Sequence, residues 1–198
     1  ADGKITSADT PDVLAMIALV GAGGQVANLV LFSGSDGTVK WTKDLAAQKT
    51  SVYTHPAIAD IDGDGKLEIL VAEMGDMTNL ELAGITALEH DGSFKWKSDP
   101  LPDPIPADAV GAISVTDLDA DGHVEILLGN RVYDAQGHLK WAGPKPDVPA
   151  QHGRFAFALE LDPSSPGLEV LDGAVAYKAD GTLLWSYTGI GHGHFAVG

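Results

Sequence analysis

Hydrophobic residues in this chain fall in short runs, and each run is cut off by Gly, Pro, Asn or Asp. The stretches "LEILVAE", "GITALEH" and "FKWKSD" follow one another in this way, as do "VEILLG", "RVYDA" and "LKWAG". Short runs with β-branched residues and period-two alternation predict strands. Apart from an ambiguous apolar run near Ala15, little of the chain has helical period. The pattern predicts an all-β protein.

The strands recur as a unit. Trp41, Trp96, Trp141 and Trp185 each lie five residues after the start of a turn pair: Asp36-Gly37, Asp91-Gly92, Gln136-Gly137 and Asp180-Gly181. The tryptophans are 55, 45 and 44 residues apart. Asp-Gly between two hydrophobic runs predicts a hairpin. The second unit reads as the strands "HPAIAD", "LEILVAE", "GITALEH" and "FKWKSD". The third reads "GAISVTD", "VEILLG", "RVYDA" and "LKWAG", and the fourth "FAFALEL", "LEVLDG", "AVAYKA" and "LLWSYT". About 45 residues and four strands per repeat is the requirement of a β-propeller blade. The expectation is one β-propeller domain or propeller segment over 1–198, in repeats of roughly 1–50, 51–105, 106–150 and 151–198. The tryptophans are expected to pack between neighbouring blades.

Composition narrows the function. With 28 acidic and 12 basic residues the net charge is −16, which excludes a nucleic-acid partner because phosphate binding needs a basic face. There is no cysteine, so disulfides and thiolate metal sites are excluded. No apolar stretch reaches the roughly 20 residues that span a membrane as a helix. The sequence opens at Ala1 with no initiator Met or signal peptide and is read as a mature or trimmed segment. It contains no G-x-S-x-G elbow, "GAGG" at Gly21 to Gly24 opens no helix, and no catalytic residue is assigned. "DPLPDPIPAD", Asp99 to Asp108, reads as a stiff connector.

The acidity is concentrated. "DIDGDGKLEILV" sets Asp60, Asp62, Asp64 and Glu68 at positions 1, 3, 5 and 9, and "DLDADGHVEILL" repeats this with Asp117, Asp119, Asp121 and Glu125. Like charges about 4 Å apart repel by roughly 4 kcal/mol at an effective dielectric near 20. Such a loop needs a positive charge inside it, and hard oxygen donors select a hard cation such as Ca2+. The carbonyls of Lys66 and His123 would add backbone ligands. "ELDPSSPGLEVL" keeps Glu160, Asp162 and Glu169 but has Ser164 in place of an Asp and one inserted residue, so it is the weaker metal loop.

"PAIADIDGDGKLEILVA" and "AISVTDLDADGHVEILLG" resemble the FG-GAP/VCBS repeats of integrin-α-like propellers, and the resemblance covers nearly the whole chain. It implies calcium bound through positions 1, 3, 5 and 9 of these loops. It also implies an extracellular setting, and a role in adhesion, recognition or carbohydrate work. "ELDPSSPGLEVLDG" and "GIGHGHFAVG" resemble segments of the eight-bladed propeller of bacterial rhamnogalacturonan lyases.

"ADGKITSADTPDVLAMI" reads as the back half of a calcium loop, with Asp2 and Asp9 as ligands, and "HGHFAVG" as a first strand. Three blades are then whole and one is split between the termini. A four-bladed ring, half of an eight-bladed homodimer and a fragment of a longer propeller all satisfy this. His55, His152, Arg154, His192 and His194 fall at one level near first strands. They would ring one mouth of a central channel and suit an anionic sugar or a transition metal, or else cap strand ends. The sequence therefore predicts a secreted or cell-surface, calcium-binding propeller. It would be a non-catalytic scaffold for a protein or carbohydrate ligand, and the alternative is a fragment of a polysaccharide lyase.

Overall fold

The computed structural model describes residues 10–21, 24–76, 80–144 and 154–187. Among these the chain is all-β, with two 3-10 turns and no α-helix. The first unit contributes β1 (Val13–Gly21), β2 (Gly24–Phe32) and β3 (Val39–Asp44), so the apolar run near Ala15 is a strand. The second contributes β4 (Ala57–Ala59), β5 (Glu68–Asp76), β6 (Glu81–Leu88) and β7 (Phe94–Lys97). A short β8 (Ile105–Pro106), inside the proline-rich connector, pairs with the start of β6. The third unit is β9 (Val110–Thr116), β10 (Glu125–Leu128), β11 (Arg131–Tyr133) and β12 (Leu139–Ala142). The fourth is β13 (Arg154–Leu159), β14 (Glu169–Asp172), β15 (Val175–Tyr177) and β16 (Leu183–Ser186).

Within each unit consecutive strands pair antiparallel as a meander. Among the second, third and fourth units the first strands run side by side. β13 pairs parallel with β9, and His55, just ahead of β4, makes a parallel bridge to Ala112 of β9. These three units therefore share an inner row of parallel strands.

The register is the same in all four units. Trp41, Trp96, Trp141 and Trp185 sit opposite Leu31, Ala87, Val132 and Ala176, which in turn sit opposite Leu14, Leu70, Leu127 and Leu171. Each turn between the last two strands carries a glycine at positive φ, with a register shift beside it. In the second unit Gly92 N donates to Glu89 O and Glu89 N to Ser93 O. This is a type I turn closed by a left-handed glycine rather than a two-residue hairpin.

The core lies between units, not within them. Leu14, Met16, Leu29 and Trp41 of the first unit pack on Ile69, Val71 and Leu88 of the second. Leu70, Ala72, Ile85 and Trp96 of the second pack on Ile113, Ile126, Leu128 and Tyr133 of the third. Leu127, Val132 and Trp141 of the third pack on Ala156, Val170, Val175 and Tyr177 of the fourth. Neighbouring residues of β5 thus face opposite seams. A strand covered on both faces reads as a continuous apolar run, which is why "EILV" and "EILL" do not alternate.

Each seam is closed by a turn of one unit laid on the tryptophan of the unit before it. A Cβ built on Gly137 would lie 2.8 Å from the Trp96 ring, and one on Gly181 2.7 Å from the Trp141 ring. Both positions also hold φ at +85°. Glycine is thus required there twice over, by conformation and by contact.

Candidate metal centres

The two acidic loops link first and second strands, β4 to β5 and β9 to β10. In the first loop Asp60 folds the chain around itself. Its Oδ1 accepts from Gly63 N at 2.8 Å and its Oδ2 from Gly65 N at 2.9 Å. Asp117 does the same with Asp121 N at 3.1 Å and Gly122 N at 3.0 Å. Glu68 and Glu125, at the starts of β5 and β10, are buried. Each turns one oxygen back to the loop: Glu68 Oε2 accepts from Ile61 N at 2.9 Å, and Glu125 Oε2 from Leu118 N at 2.8 Å.

The result is two matching triads, Asp60/Asp62/Glu68 and Asp117/Asp119/Glu125. In each, one carboxylate oxygen per residue lies within 4.8 Å of the others. Asp64 and Asp121 are outside the triads, and their Oδ1 atoms cap the amides of Lys66 and His123 at 2.8 Å. Like charges at about 4.8 Å repel by roughly 3–4 kcal/mol per pair at an effective dielectric near 20.

Part of that repulsion is met by the lysine that precedes each tryptophan, which the sequence reading does not single out. Lys95 Nζ lies 2.7 Å from Asp62, 2.9 Å from Glu89 and 3.8 Å from Glu68 Oε1. Lys140 Nζ lies 2.7 Å from Glu125 and 3.1 Å from Asp119. Lys40 Nζ reaches Asp12 at 2.6 Å. By register Asp12 stands in the first unit where Glu68 and Glu125 stand in theirs. The signal for these lysines was the K-W pair repeated in three of four units.

One ammonium does not balance a triad. Burial pushes the Glu68 carboxyl above the ordinary carboxylate range, against the pull of the Ile61 amide and Lys95. Lys95 in turn holds Asp62 below that range. Glu68 Oε1 is buried without a hydrogen-bond partner. An orphaned carboxylate oxygen beside two further carboxylates fits a hard divalent cation, which would take that oxygen as a ligand.

The fourth loop is built differently. Glu169 Oε2 accepts from Leu161 N at 2.8 Å and Asp162 N at 3.0 Å, while Asp162 Oδ1 binds Ser164. Glu160 is exposed, and Leu184 stands where the lysine does in the other units. Among the described residues no acidic triad forms there.

Of the five residues expected at one mouth of a channel, His55 is exposed and its ring stacks on Phe155 of β13 at 6.4 Å. Its amide donates to Gly111 O at 2.8 Å. Arg154 opens β13. His152, His192, His194, and also Asp2 and Asp9, lie outside the described residues, as does the C-terminal strand expected over "HGHFAVG". A cleft of about 490 Å³ runs beside the second triad, lined by Asp119, Lys140, Trp141, Pro166, Lys178 and Asp180. Trp141 is no open stacking platform there. Its Nε1 donates to Ala179 O at 2.8 Å, and Gly181 lies against its ring.

No protein-family model matches the chain, and comparison with curated proteins gives no match. Among solved structures, the biofilm matrix protein Bap1 of V. cholerae superposes with a TM-score of 0.58 at 21% identity over 89% of this chain. The rhamnogalacturonan lyase PL11 of Bacillus licheniformis superposes with a TM-score of 0.53 at 24% identity over 82%. The chain spans 30% and 27% of the lengths of those two proteins. At these identities the likeness is one of fold.

Proposed function

We propose that this chain is a calcium-stabilised β-propeller segment that serves as an extracytoplasmic, non-catalytic binding scaffold for a carbohydrate or matrix ligand. The observation that carries the reading is the repeated triad, with a buried glutamate oxygen in the first copy that accepts no hydrogen bond. The antiparallel meanders and the parallel inner row are the arrangement that blades around a common axis require. Asp60, Asp62 and Glu68, and their counterparts Asp117, Asp119 and Glu125, are the proposed side-chain ligands. Asp64, Asp121 and the Lys66 and His123 carbonyls complete the oxygen shell. Bound calcium would replace lysine as the main neutraliser of each loop and fix the first two strands of the blade. The fold shared with a biofilm matrix protein and a rhamnogalacturonan lyase supports an extracytoplasmic carbohydrate setting. The cleft beside the second triad offers charged groups of both signs to such a ligand.

The test is a pair of thermal melts, one with millimolar calcium and one with chelator. Ligand at about 100 times its dissociation constant stabilises by roughly 2.7 kcal/mol per site, so the midpoint rises by several degrees. Identical melts, with no heat of binding in calorimetry, overturn the metal assignment. A second reading, a lyase fragment, is favoured by the fold shared with the lyase. A lyase needs a base and a charge-neutralising cation at one cleft. Absorbance of unsaturated product from pectic polymers, with and without chelator, separates the two: a scaffold gives no signal in either condition.

A further inference from the structure

The hairpin that carries each tryptophan opens on a position with fixed contacts, and its charge changes sign in the fourth unit. The carbonyls of Glu89, Asp134 and Lys178 accept from the turn glycine, and their amides donate to the residue four further on. Glu89 pairs with Lys95 of its own unit at 2.9 Å, and Asp134 bonds the His138 ring at 3.1 Å. Lys178 forms no ion pair among the described residues, and it acts on Asp162 and Asp180 through space. It lines the cleft of about 490 Å³ on the seam between the third and fourth units, and so does Lys140. This seam therefore sets two lysines in one cleft, where the equivalent positions of the second and third units bring Glu89 and Asp134. The walls are built: Leu168 N donates to Leu118 O at 2.8 Å, and Ser165 N to Asp162 O at 2.8 Å. Gly167 leaves no room for a Cβ between Ala179 and the Leu118 carbonyl.

Lys140 also holds the second triad, through Asp119 at 3.1 Å and Glu125 at 2.7 Å, and Asp119 itself lines the cleft. Without a metal ion, two lysines face two aspartates, Asp119 and Asp180, and the cleft is close to neutral. A divalent cation on the triad would take Asp119 and Glu125 as ligands and leave the Lys140 ammonium to the cleft, which then carries net positive charge. We propose that this cleft binds an anionic saccharide, a uronate, through Lys140 and Lys178, and that calcium on the second triad switches the binding on. The sugar carboxylate would bridge the two ammonium groups, and Ser165 and Asp180 offer hydrogen bonds to its hydroxyls. The cleft volume falls in the range of sites for small ligands. This inference rests on the calcium reading of the second triad and names the ligand class for the scaffold.

Sixteen net negative charges oppose an anionic ligand at long range. The experiment is therefore run at about 150 mM salt, where the Debye length is roughly 8 Å. Calorimetry of the whole chain takes two steps. Calcium is titrated first. Disaccharides ending in galacturonate or glucuronate follow, beside their neutral galactose and glucose counterparts, each in millimolar calcium and in chelator. By linkage, a uronate must raise calcium affinity by the factor by which calcium raises uronate affinity. The variants are Lys178→Met and Lys140→Met, and circular dichroism melts check that each is folded.

At least one uronate should bind about tenfold or more tightly in calcium than in chelator, and about tenfold or more tightly than its neutral counterpart. Lys178→Met should lose about tenfold in uronate affinity. Lys140→Met distinguishes this role from a structural one. It should weaken uronate binding and tighten calcium binding, because one ammonium both competes with the ion and holds the ligand. No heat from calcium overturns the metal reading, and this inference with it. With that heat present, uronate binding that is equal in calcium and chelator, no tighter than the neutral sugar, or at wild-type strength in either variant overturns this inference alone.

Discussion

Ala120 holds φ at +60°, a left-handed conformation that L residues adopt at a cost of roughly 1–2 kcal/mol. Three residues into the preceding acidic loop the same position is Gly63, at +77°. Ala120→Gly should therefore raise the urea midpoint by an amount worth about 1 kcal/mol, with an unchanged slope. Lys95 is the more informative residue, because it sits where a cation is expected. Removing it as Lys95→Met should lower metal-free stability by about 1–2 kcal/mol, since it leaves Glu68 and Asp62 uncompensated. The same change should enlarge the calcium-induced rise in melting temperature, because the ion no longer competes with an ammonium. A smaller rise would mean that the lysine supports the metal shell. Glu68 adds a pH dependence. Its carboxyl is raised above its ordinary value of 4.5 by burial, so in the pH window just above 4.5 the folded protein keeps a proton that the unfolded chain has lost. Metal-free stability from this group should fall as pH rises through that window. The calcium-induced shift should grow over the same window, because binding needs the carboxylate. Paired melts at pH 5 and pH 7, with and without calcium, measure both slopes.

Among the elements, the turn on the tryptophan joins one unit to the next. Gly181→Val would force a β-branched residue to φ +85° and drive its Cβ into the Trp141 ring. Strain and overpacking together should cost about 2–4 kcal/mol, read as a shifted denaturation midpoint. Trp141→Ala in that background should cost less than it does alone, because the contact is already lost. Much at this scale was legible beforehand. Constant spacing from turn to tryptophan placed the last strand of each unit, and the second, third and fourth units fold with the strands that their apolar runs predict. Seam partners were not legible, because which face of a two-sided buried strand meets which neighbour is fixed only when units stack. The Lys95 and Lys140 contacts were hidden for a related reason. They cross from β7 and β12 to loops 33 and 21 residues earlier in the chain, a proximity set by pairing through two intervening strands. Asp9, the expected last ligand of the first loop, lies outside the described residues. Register from Trp41 through Leu31 to Leu14 puts Asp12 at the position equivalent to Glu68.

At the scale of the whole molecule, stability is a sum over seams, because each core cluster joins only consecutive units. In such a linear stack the inner units are held on two faces and the end units on one. Hydrogen exchange should follow that order. The slowest amides should lie in β5, β6, β10 and β11, whose side chains fill seams on both sides, and β1 and β16 should exchange at lower opening free energy. Calcium should slow exchange most in β5 and β10, which begin at the glutamates of the two triads. Uniform exchange across all sixteen described strands would mean one cooperative unit, and would remove the seam as the unit of stability.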